Sequence, residues 1–141
     1  MSRNKLVAYV FGAIYLVIGV VGFAVNSDFG DKNTEDKLLG LFEINGLHNV
    51  VHLLIGVALL AAARAGYRAA RSANLAVGGT YALVGVIGLF IANNTSDANI
   101  LSLNGTDNVL HFATALVLLG VALSEKDYVE VDRERERAGV L

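Results

Sequence analysis

The 141-residue chain contains neither cysteine nor proline. The absence of cysteine excludes disulfide bonds and metal sites built on thiolates. The absence of proline removes the residue that most strongly interrupts helices, which favours long continuous helices. Charged residues make up only 17% of the chain, whereas an average soluble domain has about 25%. A net charge of −2 provides no basic field, so nucleic acid is not an expected partner.

Hydrophobic residues make up 55% of the chain and are concentrated in four blocks. The apolar cores of these blocks contain no lysine, arginine, aspartate or glutamate, and they cover residues 6–25, 47–63, 75–92 and 109–123. A helix needs about 20 residues to cross a bilayer core about 30 Å thick, and the second and fourth blocks reach this length when their polar first turns are included. A soluble helix bundle would need charged outer faces, which these blocks lack. The pattern therefore predicts an all-α, four-helix transmembrane bundle in contact with the lipid bilayer, and it predicts no β-strand.

The lysines and arginines indicate how the bundle is oriented. Nine of the eleven lie before the first block, in the second connection (residues 64–74) or after the fourth block. The first and third connections contain only Lys32 and Lys37 and are rich in acidic residues. Because cytoplasmic loops are enriched in lysine and arginine, we expect a multi-pass membrane protein with both termini in the cytoplasm. The membrane domain is expected at residues 1–126, followed by a charged cytoplasmic tail at residues 127–141.

The four blocks form two similar pairs. One tyrosine and three glycines recur in the first and third blocks with a constant shift of 66, at Gly12, Tyr15, Gly19 and Gly22 and at Gly78, Tyr81, Gly85 and Gly88. The pattern Asn-Gly-x-x-Asn-x-x-His begins at Asn45 and again 59 residues later at Asn104. The sequence thus predicts two parallel helical-hairpin repeats, at about residues 6–64 and 75–124, related by a pseudo-twofold axis along the membrane normal. The glycines suit close helix packing, either within the bundle or at a seam between copies of the chain.

Polar residues form a stripe along the second and fourth helices. Asn45 and Asn104 are expected to be N-caps, and Asp107 is expected to complete a capping box with Asn104. The next polar positions follow at intervals of three or four residues, so they lie on one face of each helix. Because unpartnered polar groups are unfavourable inside a membrane, this face is expected to point into the bundle. With the tyrosines of the first and third helices that face it, the interhelical stripe consists of Asn45, Asn49, Asn104, Asn108, Tyr15 and Tyr81.

Three interpretations of the histidines on these helices remain open. In the first, the histidines are structural. The histidines and the asparagines then form hydrogen bonds across the pseudo-twofold axis, as Asn49 would with Asn108, or to the two tyrosines. In the second, His52 and His111 are the axial ligands of a haem b. In the third, the same helices bind a divalent metal. The metal ligands would be His48, His52, Asp107 and His111. No combination of nucleophile and base stands out, so enzymatic activity is not expected.

Two stretches, LLGLFEINGLHNVVHLLIGVALLAAAR and NILSLNGTDNVLHFATALVLLG, resemble the domain-of-unknown-function 4383 family of small prokaryotic membrane proteins. The resemblance runs from about Leu6 to Ser124. It implies a four-helix integral membrane protein in a plasma membrane, and it implies no established activity, substrate or cofactor. We therefore expect a non-enzymatic, structural or accessory membrane protein without a cofactor, which associates with itself or with another membrane protein. The alternative is a membrane redox protein that binds haem or a metal through the intramembrane histidines.

Overall fold

The computed structural model describes residues 1–30, 35–92, 97–125 and 139 of the chain. These residues contain four α-helices: α1 (Arg3–Val25), α2 (Gly46–Ala65), α3 (Tyr67–Ile91) and α4 (Gly105–Ser124). Two short strands, β1 (Lys37–Leu38) and β2 (Phe42–Glu43), form an antiparallel hairpin between α1 and α2. Each of the four helices is long and apolar enough to cross a membrane, as the hydrophobic blocks predict. The charged tail predicted at residues 127–141 lies outside the described residues, apart from Gly139.

The helices pack mainly in two pairs. α1 lies against α2 and α3 lies against α4, while contacts between the pairs involve chiefly α3 with α2 and α1. The buried residues at the centre include Tyr15, Leu59, Tyr81 and Ala115. The outer faces of the helices are apolar and exposed, as at Leu54 (65%) and Leu116 (75%). A helix whose outward face is apolar as well is typical of a membrane span.

The glycines of α1 and α3 provide the close contacts within each pair. A Cβ atom placed on Gly56 would lie only 2.9 Å from the carbonyl oxygen of Gly12. Small residues permit such an approach between two helix backbones. All six glycines of the predicted pattern are buried against the partner helix of the same chain: Gly12, Gly19, Gly22, Gly78, Gly85 and Gly88. They pack the bundle internally and are not exposed for a seam between copies of the chain.

A single glycine separates α2 from α3. Gly66 has a φ of 129° and a ψ of −176°, a conformation that residues with a side chain rarely adopt. The basic composition of residues 64–74 predicts a longer connection, but α3 already begins at Tyr67. Ala70 and Asn74, in its first two turns, are buried. The hydrophobic block therefore marks the most apolar part of α3 and not the full length of the helix.

The β-hairpin is not predicted by the sequence. Its register pairs Lys37 with Glu43 and Leu38 with Phe42. The turn has positive φ at Leu39 (55°) and Gly40 (72°), and the hairpin packs against α1 and α4. Strands of two residues are too short to produce an alternating pattern, so hydrophobic periodicity cannot detect them. Leu38 is buried, whereas Leu39 at the turn is 82% exposed.

Candidate functional site

The N-termini of α2 and α4 are fixed by the predicted caps. The Oδ1 atom of Asn45 accepts a hydrogen bond from the backbone N–H of His48 at 2.9 Å. The Oδ1 atom of Asn104 accepts the equivalent bond from the N–H of Asp107, also at 2.9 Å. The carboxylate of Asp107 accepts a bond in return from the N–H of Asn104 at 3.0 Å, which confirms the predicted capping box. These caps set the rotation of both helices, and the histidines further along them are buried.

Each capping asparagine also reaches the loop that precedes the other helix. The Nδ2 atom of Asn45 donates to the carbonyl oxygen of Ile100 at 2.9 Å and to Oγ of Ser102 at 3.1 Å. The Nδ2 atom of Asn104 donates to the carbonyl oxygen of Leu41 at 2.9 Å. Leu41 and Ile100 are separated by the same 59 positions as the two asparagines. The two bonds are therefore reciprocal, and they join the two helix pairs at the end of the bundle that carries the hairpin.

The amides one turn further along do not bind each other. Asn49 donates from Nδ2 to the carbonyl oxygen of Asn26 at 2.8 Å, within its own helix pair. The Oδ1 atoms of Asn49 and Asn108 have no hydrogen-bond partner among the described residues, so the expected Asn49–Asn108 bond is absent. Each Oδ1 instead lies so close to a glycine, Gly22 or Gly88, that a Cβ there would overlap it. This geometry suits a weak Cα–H···O contact across the helix interface.

Two histidines and two tyrosines form a continuous row of rings through the bundle. The ring centroids of His52 and Tyr15 are 5.2 Å apart, and those of Tyr81 and His111 are 5.1 Å apart. Tyr15 and Tyr81 stack on each other with a centroid distance of 5.3 Å and an interplanar angle of 19°. All four side chains are at most 5% exposed. Because each ring comes from a different helix, the row connects all four helices.

The surroundings of the row are not symmetric. His48 packs on His52 with centroids 4.4 Å apart and lies 6.4 Å from His111, so all three histidines form one cluster. The hydroxyl of Tyr15 is hydrogen-bonded to Oγ1 of Thr114 at 2.9 Å. The hydroxyl of Tyr81 has no hydrogen-bond partner among the described residues. Each helix pair therefore contributes one histidine and one tyrosine to the row of rings, but the polar groups beside the row differ between the two pairs.

The predicted metal site is not supported by this arrangement. Although the histidines are close together, no group of three or more histidine, aspartate or glutamate residues in the described part of the chain is arranged to hold a metal ion. The proposed ligands His48, His52 and His111 pack through their ring faces and edges, and Asp107 is engaged in its capping box. A haem between His52 and His111 would require the rings that contact both imidazoles to separate.

Two small cavities border the histidine cluster. One, of about 60 Å³, lies between α1 and α4 beneath the β-hairpin, and Ile18 and Leu110 contribute to its walls. The other, of about 40 Å³, lies between α2 and α3, and Val51 and Val84 contribute to its walls. All three histidines line both cavities. The histidine cluster therefore lies between the two cavities and separates them.

A second polar network, at the opposite end of the bundle, is not predicted by the sequence. Asn4 and Asn74 are fully buried, and Nδ2 of Asn74 donates to Oδ1 of Asn4 at 2.9 Å. The carboxylate of Glu125 accepts from the backbone N–H groups of Arg3 (2.9 Å) and Asn4 (2.8 Å) and from Nδ2 of Asn4 (2.7 Å). Desolvation raises the pKa of Glu125, but these hydrogen bonds outweigh it and hold the pKa below its ordinary value. A lone asparagine at the edge of an apolar block carries no sequence signal of such a contact.

A family of known proteins is similar to this chain. The family described as "Domain of unknown function (DUF4383)" matches residues 5–124. No curated protein and no solved structure matches the chain. The match covers all four helices almost completely.

Proposed function

The chain belongs to this family of unknown function, and we propose that it is a structural or accessory protein of the plasma membrane and not an enzyme. The observation that carries the proposal is the row of rings from His52 through Tyr15 and Tyr81 to His111. Side chains that could act as ligands or acid–base groups are packed against one another in the interior. Such contacts hold helices together in a membrane, where the hydrophobic effect does not drive helix association.

We further propose that the two helix pairs are parallel repeats related by a pseudo-twofold axis. Three kinds of contact support this: the reciprocal bonds of Asn45 and Asn104, the matching glycine–amide contacts, and the two equivalent histidine–tyrosine pairs. Each kind occurs once in each half, at the spacing of the sequence pattern. An even number of spans then leaves both termini on one side, and the basic residues favour the cytoplasmic side.

Single cysteines test the orientation, because the chain itself contains none. Ser27→Cys, exposed after α1, should react with a membrane-impermeant thiol reagent added to intact cells. Ala65→Cys, exposed at the end of α2, should react only after the cells are permeabilised. The unaltered chain provides the blank. Labelling of Ala65→Cys alone in intact cells would reverse the proposed orientation.

An absorption spectrum separates the structural role from the haem alternative. Protein purified in detergent from cells supplied with a haem precursor should show no Soret band. His52→Ala and His111→Ala should then change only stability, since each removes one ring of the row. A Soret band that is lost in both variants, and retained in the exposed control Ser72→Ala, would instead establish haem binding and contradict the structural proposal.

An accessory role also implies a partner, which we propose is a second copy of the chain or another membrane protein. The exposed faces of the helices are apolar, so such a partner would contact the chain within the bilayer. The native mass of the protein, measured directly from membranes and again after detergent extraction, tests this. A monomer without any bound protein in both measurements would contradict the accessory role.

A further inference from the structure

Four buried polar atoms beside the two cavities have no hydrogen-bond partner among the described residues. They are the Nδ1 atoms of His48, His52 and His111 and the hydroxyl of Tyr81. These side chains are between 2% and 5% exposed, so bulk solvent does not supply the missing bonds. Buried polar groups are nearly always hydrogen-bonded, to protein or to an internal water molecule. The four atoms therefore indicate a bound molecule that can complete their hydrogen bonds.

The size of the cavities restricts what this molecule can be. Their volumes are about 60 Å³ and about 40 Å³. A cavity of about 150 Å³ is needed to hold a benzene ring, whereas a water molecule needs only about 15 Å³. Since a water molecule occupies about 30 Å³ in the liquid, the cavities have room for about two water molecules and about one. A ring-shaped cofactor or drug-sized ligand is too large for either space.

The chemistry of the walls points to an uncharged ligand. Among the described residues, neither cavity is lined by a lysine or an arginine, so an anion would have no counter-charge. The carboxylate of Asp107, which lines the larger cavity, is already bonded to the backbone of Asn104. An imidazole Nδ1 either donates or accepts a hydrogen bond, depending on its tautomer, and water can do both. Water can therefore bond to each of these four groups whichever tautomer is present.

We propose that the two cavities are a divided binding site for water, and that these water molecules bridge the three imidazoles and the hydroxyl of Tyr81. The histidine cluster is then a hydrated polar centre within an apolar bundle. The larger cavity lies directly beneath the hairpin, where Leu38 and Phe42 cover it.

The histidine content of the chain makes the site easy to observe. The chain has only three histidines, and all of them line both cavities. Protein labelled with ¹⁵N-histidine, studied by NMR in deuterated detergent micelles, thus reports on this site alone. We expect magnetisation transfer from water to the imidazole protons in the unaltered protein. We also expect no bound xenon, since a cavity filled with water does not take it up as a dry cavity does.

Cavity-filling substitutions identify where the water lies. Ile18→Phe extends a side chain that lines the larger cavity, and Val84→Phe does the same in the smaller one. Because every histidine lines both cavities, each single variant should weaken water transfer, and the double variant Ile18→Phe/Val84→Phe should abolish it. Val17→Phe and Leu83→Phe are the matched controls, because both positions are 61% exposed on the outer faces of the same helices. These controls should leave water transfer unchanged.

The unaltered protein alone can overturn the proposal. Absence of water transfer, together with saturable xenon binding seen by ¹²⁹Xe NMR, would show that the cavities are dry. This result does not depend on whether the filled variants fold. Water transfer that survives undiminished in the double variant, with its histidine spectrum otherwise native, would place the water elsewhere and would also contradict the proposal.

Discussion

At the scale of single residues, the amides and glycines of neighbouring helices fit each other. The Oδ1 atom of Asn49 packs against Gly22, and the Oδ1 atom of Asn108 packs against Gly88. The glycine provides the space and the amide fills it, so neither residue can change size without disturbing the interface. Since the amide oxygens have no stronger hydrogen bond among the described residues, their position depends on this fit.

Replacing Gly22 with alanine should therefore destabilise the protein. The added Cβ would overlap Oδ1 of Asn49, and overpacking of a well-packed interface costs about 1–3 kcal/mol. Gly79→Ala is the control, because a Cβ on this exposed residue of α3 meets no atom within 4 Å. That variant should unfold at the same denaturant concentration or a slightly higher one, since alanine favours helix. The free energy of unfolding in detergent checks both, and equal losses in the two variants would refute the expected fit.

The bond between Tyr15 and Thr114 is the second prediction at this scale. Tyr15→Phe and Thr114→Val each remove one hydroxyl of a buried hydrogen bond that crosses from α1 to α4. A double-mutant cycle should give a coupling energy of about 0.6 kcal/mol, the average measured for hydrogen bonds between membrane helices, and no more than about 1.7 kcal/mol, the largest value measured. If the stability loss of the double variant equals the sum of the two single losses, the coupling energy is zero and the two hydroxyls do not bind each other.

At the scale of elements, the ends of the helices are tied together by polar contacts. At the hairpin end, each N-cap of α2 and α4 binds the loop before the other helix. At the opposite end, Glu125 follows α4 and caps the start of α1, while Asn74 of α3 binds Asn4. Backbone groups at helix ends lack partners within their own helix, so these contacts satisfy groups that would otherwise be exposed to lipid or buried unpaired.

Substitutions of Asn45 should separate its two roles. Asn45→Ala removes both the cap of α2 and the bonds to the loop at Ile100 and Ser102, with an expected loss of about 1–3 kcal/mol. Asn45→Ser keeps an oxygen that can cap the helix but removes the Nδ2 donor, so its loss should be smaller. Thermal unfolding of both variants measures the difference. Equal losses would mean that the cap contributes nothing beyond the bonds between the loops.

Glu125 should make stability depend on pH at the acid end of the range. Its pKa is lower in the folded protein than its ordinary value of 4.5, so the ionised carboxylate stabilises the fold above that pH. As the pH falls through the lowered folded pKa, this contribution is lost. Glu125→Gln should therefore be less stable than the unaltered protein at pH 7 and equally stable once the carboxylate is protonated. A stability difference that persists unchanged into strong acid would contradict this.

At the scale of the whole molecule, the sequence predicts local features better than contacts between distant segments. The four spans and the caps at Asn45 and Asn104 follow from hydrophobic blocks and from residues three positions apart, so they are predictable. The bond from Asn45 to Ile100 joins residues 55 positions apart and depends on how the helix pairs dock. The burial of Asn4 against Asn74 depends on the same docking. Neither contact has a local pattern that reveals it.

The interior of the bundle is divided along its length. In α2 and α4, the half near the hairpin holds the histidines and amides of the sequence pattern, whereas the other half buries Leu59, Ala63, Leu118 and Ala122, all fully enclosed. This division explains why the asparagines and histidines of the sequence pattern are confined to the first turns of these two helices. It also places the histidine cluster and the two cavities in one half of the molecule.

The most direct test of the central account is a set of nuclear Overhauser contacts from the histidine rings in ¹³C,¹⁵N-histidine-labelled protein in micelles with protonated acyl chains. The account holds that the polar faces of α2 and α4 point into the bundle and pack against the two tyrosines. It predicts contacts of His52 with Tyr15 and of His111 with Tyr81, and none to acyl-chain protons. Histidine rings in contact with acyl chains, and not with these tyrosines, would contradict it.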